Sequence, residues 1–99
     1  MIATSIKFNT VAKVVEKGQL ENFNGHNFIS LKLSSERRRK INGELVVEND
    51  LFWARFFSTG ADIINDEVEV GDSMDVSGQI RMKKGPEFKI DHFEIYKSA

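Results

Sequence analysis

Residues 51–57 read LFWARFF, and Arg55 is the only one of these seven side chains that is not apolar. Successive side chains of a β-strand point to opposite faces, so the stretch divides into two sets. Phe52, Ala54 and Phe56 share a wholly apolar face, and Trp53, Arg55 and Phe57 share the other. An arginine buried without a partner is costly, so the face with Arg55 must meet solvent. The stretch predicts a strand with one buried face and with two aromatic side chains exposed beside an arginine.

Turns and further strands extend this pattern on both sides. Residues 24–25 and 42–43 are both Asn-Gly pairs, and these residues tolerate the positive φ angles that a type I′ hairpin turn requires. Residues 29–34 alternate apolar and polar side chains, as an antiparallel strand with one buried face does. Residues 74–83 alternate in the same way. The apolar side of that second run consists of Met74, Val76, Ile80 and Met82.

One segment has the periodicity of a helix rather than of a strand. Between Gly60 and Gly71, the apolar residues Ala61, Ile64 and Val68 recur at spacings of three and four. This spacing places them on one side of an α-helix, and the two glycines mark its limits. The segment predicts a short helix over roughly 61–69, between the third and fourth strands.

The order of elements is therefore β-β-β-α-β-β, which is the order of the five-stranded Greek-key barrel called the OB-fold. The predicted class is all-β with one short helix. In the last strand the apolar residues change parity around residues 91–92, which predicts a β-bulge where the strand bends around a small barrel. We expect residues 1–99 to form a single domain, with a basic hairpin arm protruding at about 35–50.

The composition excludes several classes of function. The chain has 99 residues, 40% of them hydrophobic and 29% charged, with a net charge of −1 and no cysteine. Disulfides, thiolate nucleophiles and cysteine-bound zinc are therefore excluded. No phosphate-binding glycine motif occurs, and His26 and His92 lack metal-ligand spacing, so we expect no catalysis, no metal and no cofactor. Without a signal peptide or an apolar run of ~20 residues, we expect a cytoplasmic protein that makes no membrane contact.

The solvent-facing side of the predicted sheet carries the pattern that single-stranded nucleic acid requires. Bases stack on aromatic side chains whatever the sequence, while Arg and Lys follow the phosphates. The candidate binding residues are Phe28, Lys32, Arg37, Arg38, Arg39, Lys40, Trp53, Arg55, Phe57, Arg81 and Lys83. Two alternatives remain open: a second subunit covers Trp53 and Phe57, or the RRRK run at 37–40 is an ordinary solvated turn.

Three blocks of the sequence resemble the bacterial and phage single-stranded-DNA-binding protein family. Residues 31–40, LKLSSERRRK, are similar to that family's second strand where it runs into a basic arm. Residues 56–84 are similar to its strand, helix, Gly-Asp turn and fourth strand, and residues 88–96, FKIDHFEIY, resemble its closing strand. The resemblance implies an OB-fold that binds single-stranded DNA.

The resemblance also implies roles for individual residues. Phe57 matches a base-stacking aromatic position, and Trp53 and Arg55 lie on the same face of the groove. Gly78 and Arg81 fit the fourth strand. The sequence departs from the family in having a single tryptophan where several stacking tryptophans are common.

The sequence also departs from the family at its end, because it stops at Ala99, directly after the last strand. Family members usually continue into a flexible linker and an acidic tail that docks partners. We therefore expect no acidic C-terminal tail for partner docking. This departure increases the similarity to the tail-less primosomal OB proteins and to compact phage variants.

The expected function is non-catalytic, sequence-independent binding of single-stranded DNA in replication, recombination or repair, with a phage as one possible source. RNA remains an alternative ligand. Two other functions stay open: a primosome-type accessory protein, and an OB-fold adaptor that binds only protein. The first strand region, Ile6 to Val15, has apolar residues of both parities, which predicts an edge that pairs with another subunit in a homodimer or homotetramer.

Overall fold

The computed structural model describes residues 6–82 and 84–98, and these residues form six strands and one helix. The elements in chain order are β1 (Ile6–Lys17), β2 (Glu21–Phe23), β3 (His26–Ile41), β4 (Glu44–Phe57), α1 (Thr59–Glu67), β5 (Ser73–Met82) and β6 (Pro86–Tyr96). The additional strand relative to the sequence prediction is the three-residue β2, which pairs with the start of β3. The helix begins and ends two residues earlier than the apolar spacing predicted. None of the described residues forms a helix of the length and apolar character needed to cross a membrane.

Both Asn-Gly pairs form the predicted hairpin turns. Asn24 and Gly25 have φ angles of 52° and 81°, and Asn42 and Gly43 have φ angles of 52° and 80°. Positive φ at both central residues is the type I′ geometry, whose twist matches that of the flanking strands. The first turn joins β2 to β3 and the second joins β3 to β4.

The strands close into a ring. The order of hydrogen-bonded neighbours is β1-β5-β6-β4-β3-β2, and β1 also pairs with β3. Closure is possible because β1 pairs with β5 over Ile6 to Lys13 and with β3 over Lys13 to Lys17. A register shift between Val14 and Glu16 lets β1 bend from one partner to the other. The predicted OB-fold architecture is confirmed.

The predicted bulge in the last strand is also present. Ser77 pairs with His92 and Gly78 pairs with Ile90, so Asp91 is the extra residue on β6. Gly78 is required at this position, because a Cβ would overlap the carbonyl oxygen of Lys89 and lie 2.9 Å from the Cα of Ile90. The extra residue explains why the apolar residues of β6 change parity along the strand.

The core contains the apolar sets that strand alternation assigned to it. Its fully buried side chains include Ile29, Leu31 and Leu33 of β3, Ala54 and Phe56 of β4, Ile64 of α1, and Met74 and Val76 of β5. Met82 is a correction: alternation groups it with the buried side of β5, yet 67% of it is exposed. Met82 is the last residue of β5. Alternation predicts which face of the sheet a side chain lies on, but it does not predict where along the strand the core that covers that face ends.

A buried carboxylate ties the segment after β6 to the helix. Asp72 is 2% exposed and accepts hydrogen bonds from the Nζ of Lys97 at 2.6 Å and from the amides of Ser98 and Glu69. The Lys97 bond, with those two amides, lowers the pKa of Asp72 to about 2. The same Lys97 ammonium donates to the carbonyl of Glu67 at the end of α1. This carboxylate therefore fixes the segment that follows β6 against α1.

Candidate nucleic-acid interface

The register of β3 against β4 brings the predicted aromatic and basic residues together. Phe28 pairs with Phe57 and Lys32 pairs with Trp53, while Arg55 lies between these two pairs, opposite Ser30. Side chains directly opposite on one face of an antiparallel pair have Cβ atoms only about 5 Å apart. Trp53 is 48% exposed, which confirms the solvent-facing parity predicted from the sequence. We call the side of the sheet that carries these residues the outer face.

Cations lie over the aromatic rings of the outer face. The Arg55 guanidinium carbon is 5.5 Å from the ring centroid of Phe28, and the Lys89 Nζ is 5.6 Å from that of Phe57. The two rings are themselves 6.4 Å apart and inclined by 37°. Contacts of this kind hold charge against a stacking surface. Aromatic rings and positive charges therefore lie next to one another on the outer face.

Lys89 is a residue of this face that the sequence analysis missed. It lies in β6, which pairs in parallel with β4 so that Lys89 is opposite Arg55. Its alternation with the apolar Phe88 and Ile90 was a usable signal for an outward side chain. The pairing of β6 with β4 left no signal in the sequence, because it depends on how the barrel closes.

The turn between β5 and β6 borders the other side of the outer face. Arg81 of β5 is exposed and pairs with Glu87 of β6, so an acid accompanies this predicted cation. Lys83 lies outside the described residues. A groove of about 590 Å³ separates the turn from β4, with Trp53 on one side and Lys84 on the other. Lys84 thus adds a cation beside the tryptophan that the sequence analysis did not select.

The basic run of the arm is divided between the two faces of the β3–β4 ribbon. Arg37 and Arg39 lie on one face, where both bind the carboxylate of Glu48, at 2.8 Å and 2.6 Å. Arg38 and Lys40 lie on the opposite face. Strand alternation makes that face continuous with Lys32 and Trp53, because the β3–β4 register has no shift along the arm. The structure therefore brings two of the four arm cations onto the outer face, where Arg38 also contacts the Glu36 carboxylate at 3.6 Å, and pairs the other two with Glu48.

Exposed apolar side chains accompany the two outward cations of the arm. Leu45, Val47 and Leu51 of β4 are 61%, 49% and 58% exposed. They have the same parity as Trp53, and Val47 and Leu45 pair with Arg38 and Lys40 respectively. We call this set the arm stripe. The sequence signal for the arm stripe is the set of apolar residues at odd-numbered positions of residues 44–53, ELVVENDLFW. The sequence analysis began at Leu51 and did not extend this pattern toward the N-terminus.

No model of a known protein family matches the chain, and no curated protein sequence matches it. Solved structures do match in fold. A PriB protein from Ralstonia solanacearum superposes with a TM-score of 0.76 at 20% identity, covering 93% of this chain and 97% of that one. A small single-stranded DNA-binding protein from Streptomyces coelicolor gives a TM-score of 0.79 at 14% identity, covering 93% and 94%.

The second single-stranded DNA-binding protein of Mycobacterium smegmatis is similar as well, with a TM-score of 0.76 at 14% identity over 92% of this chain and 88% of that one. At such identities the likeness establishes the fold alone. It confirms the OB architecture of this chain and the resemblance in fold to single-stranded DNA-binding proteins. A shared fold does not by itself identify a ligand.

Proposed function

We propose that the protein binds single-stranded DNA without regard to sequence and without catalysis. The observation that carries this proposal is the β3–β4 register, which places Phe28 beside Phe57 and Lys32 beside Trp53, with Arg55 between the pairs. Unpaired bases expose their ring faces, and each base stacked on an aromatic side chain contributes about 1–3 kcal/mol. The cations of the same face are spaced among the rings, where they can meet the phosphates that connect the bases.

The candidate surface is larger than the barrel alone. We treat residues 1–99 as one domain in which the arm, at about 35–50, extends the outer face through Arg38 and Lys40. Arg81 and Lys84 form the opposite border of the proposed path, and Lys83, outside the described residues, stays a candidate from the sequence. Such a protein would protect unpaired strands during replication, recombination or repair in the cytoplasm of a bacterium or a phage-infected host. RNA offers similar base faces and the same phosphates, and it is the alternative ligand.

A titration against labelled oligo-dT tests the proposal. Binding is measured by fluorescence anisotropy at two salt concentrations, together with the emission of Trp53, the only tryptophan in the chain. We expect the affinity to fall steeply with salt and the Trp53 emission to be quenched, because phosphate contacts release counterions and a stacked base contacts the indole. Duplex DNA of equal length is the control, since its bases are already stacked, and oligo-U compares RNA. Absence of binding, or binding that salt does not change, contradicts the proposal.

A second candidate function rests on the arm stripe. Three exposed aliphatic side chains on one face, interrupted only by Asn49, are more apolar than phosphate recognition requires, and they favour a protein contact. We therefore propose, as alternatives to a protein that binds only single-stranded DNA, a primosome-type accessory protein or an adaptor that binds protein alone. The same titration separates the two: an accessory protein still binds oligo-dT, whereas a pure adaptor does not.

We also propose that the protein is a homodimer or homotetramer that associates through β1. Residues 6–12 pair with β5 on one side, and pairing with β3 begins only at Lys13, so the other edge has no strand partner among the described residues. Ile6 and Val11 of this segment are 54% and 60% exposed. An unpaired edge with apolar side chains is a template for pairing with a second chain. Sedimentation that shows only monomer at tens of micromolar would exclude this assembly.

A further inference from the structure

A cavity beside the first hairpin is a strongly apolar recess on the outer face. Its volume is about 420 Å³, and its lining consists of Phe23, Asn24, His26, Phe28, Arg55 and Phe57. Three of these six residues belong to the candidate interface already described. The other three belong to the β2–β3 hairpin and lie outside that interface. We call this recess the hairpin pocket.

The hairpin that forms one wall of the pocket is held in place by hydrogen bonds to the start of α1 and the residue before it. The amide of Ser58 donates to the carbonyl of Asn27 at 2.8 Å, and the side-chain amide of Asn27 donates to the carboxylate of Asp62 in α1 at 2.9 Å. The side-chain amide of Asn22 in turn donates to the Asn27 oxygen at 2.9 Å. A wall fixed to a helix by hydrogen bonds needs little reorganisation when a ligand enters, which lowers the cost of binding.

The chemistry of the lining distinguishes between the parts of a nucleotide. Phe28 and Phe57 line the pocket with aromatic surface, beside the cations that lie over their rings, and Phe23, which is 68% exposed, provides a third ring at the rim. Asn24 and His26 add side chains with hydrogen-bonding groups beside those rings. A planar heteroaromatic ring with polar edges satisfies both features. A phosphate would satisfy only the polar one.

We propose that the hairpin pocket holds one unstacked nucleobase of a bound single strand, with its face on the phenylalanine rings and its edge toward Asn24 and His26. This inference rests on the proposed function and adds a subsite to it. The pocket is continuous with the outer face, which supports this inference. Arg55 and Phe57 line the pocket, and they follow Trp53 at alternate positions on the same face of β4. One base per protein chain would thus occupy the pocket, while the neighbouring bases stack on the outer face without regard to sequence.

A relocated tryptophan tests the pocket directly. In a Trp53→Phe background, Phe23→Trp makes the rim of the pocket the only source of indole emission. We expect saturating oligo-dT to quench this emission, whereas polyphosphate, a polyanion without bases, leaves it unchanged. Emission that stays constant while the anisotropy of the labelled oligo-dT shows full binding overturns the pocket and leaves the proposed function intact. Equal quenching by polyphosphate and by oligo-dT overturns it as well.

A truncation gives the matching affinity measurement. Phe23→Ala should weaken oligo-dT binding at least about fivefold, the lower limit for losing one stacking surface. Val70→Ala is the matched control, because Val70 is also exposed, at 60%, and lies between α1 and β5. Both variants should keep the thermal midpoint of the parent, since neither side chain is buried. Unchanged affinity in Phe23→Ala, with Trp53→Ala weakened, rejects the pocket; if the parent protein does not bind oligo-dT at all, the proposed function itself fails.

Discussion

The division of the arm cations leads to a quantitative prediction about two double variants. Arg38→Ala with Lys40→Ala removes the cations that share a face with the outer-face aromatics, whereas Arg37→Ala with Arg39→Ala removes those bound to Glu48. Both variants lose two positive charges from the same ribbon. They therefore change the long-range field of the protein equally, and any difference between them reports on local contacts with the strand.

The magnitude follows from counterion release. Each phosphate neutralised on a single strand contributes about 0.7 to the slope of log affinity against log salt. If Arg38 and Lys40 each meet one phosphate, their removal lowers that slope by about 1.4. Removal of Arg37 and Arg39 should lower it less, because these two guanidinium groups already contact the two carboxylates of Glu48 and Asp50, at 2.6–3.7 Å. Their exposed ion pairs contribute only about 0–1 kcal/mol each to folding, so both variants should fold.

The assay is the anisotropy of labelled oligo-dT at four or more salt concentrations, with the thermal midpoint of each variant as the folding control. Equal slopes for the two double variants would show that the arm acts only through its total charge. A larger loss in the Arg37 and Arg39 variant would show that DNA displaces Glu48 and binds the opposite face. Either result would refute the assignment of the outer face along the arm.

Three further predictions concern single positions. Trp53→Ala should cost about 1–3 kcal/mol of oligo-dT binding while leaving chemical denaturation nearly unchanged, because its indole stacks a base rather than filling the core; a loss of stability with no loss of binding would contradict this. Gly78→Ala should lower the free energy of unfolding by about 1–3 kcal/mol or more in urea, since a Cβ there meets the β6 backbone, and a variant as stable as the parent would contradict the bulge geometry. Asp72 has a folded pKa of about 2 against an ordinary 3.8, so its contribution to stability is complete above pH 4 and declines as the pH falls toward 2. Asp72→Asn should therefore be less stable than the parent at pH 7 and should lack this decline in acid unfolding; an unchanged pH profile would count against it.

The features that the sequence predicted well are those that short-range rules determine. Asn-Gly pairs fix their own turn type, and alternation in residues 51–57 fixes which side chains face solvent once one arginine is placed. The bulge near residues 91–92 was predictable because it leaves a change of parity in the apolar residues of a single strand. The short helix was predictable from spacing, although its ends moved by two residues.

What the sequence did not predict depends on which strands become neighbours. The contact of Lys89 with the Phe57 ring requires the parallel pairing of β6 with β4, which no local pattern encodes. The pairing of two arm arginines with Glu48 follows from the register of β3 against β4, set by the turn at 42–43. The hairpin pocket combines residues from both sides of the first turn with residues of β4. Its rim residue, Phe23, belongs to a strand too short to be recognised from its own three residues.

The hydrogen bonds of Asp72 also determine how the protein can be attached to a surface or a probe. Lys97 and Ser98 are held against α1, so a tether joined beyond them leaves the barrel from a defined point beside the helix. A fusion that replaces Lys97 would instead leave a buried carboxylate without its cation. For single-molecule measurements on DNA, a tether placed after Ser98 keeps a fixed geometry relative to the sheet, and one that replaces Lys97 weakens the fold it is meant to report on.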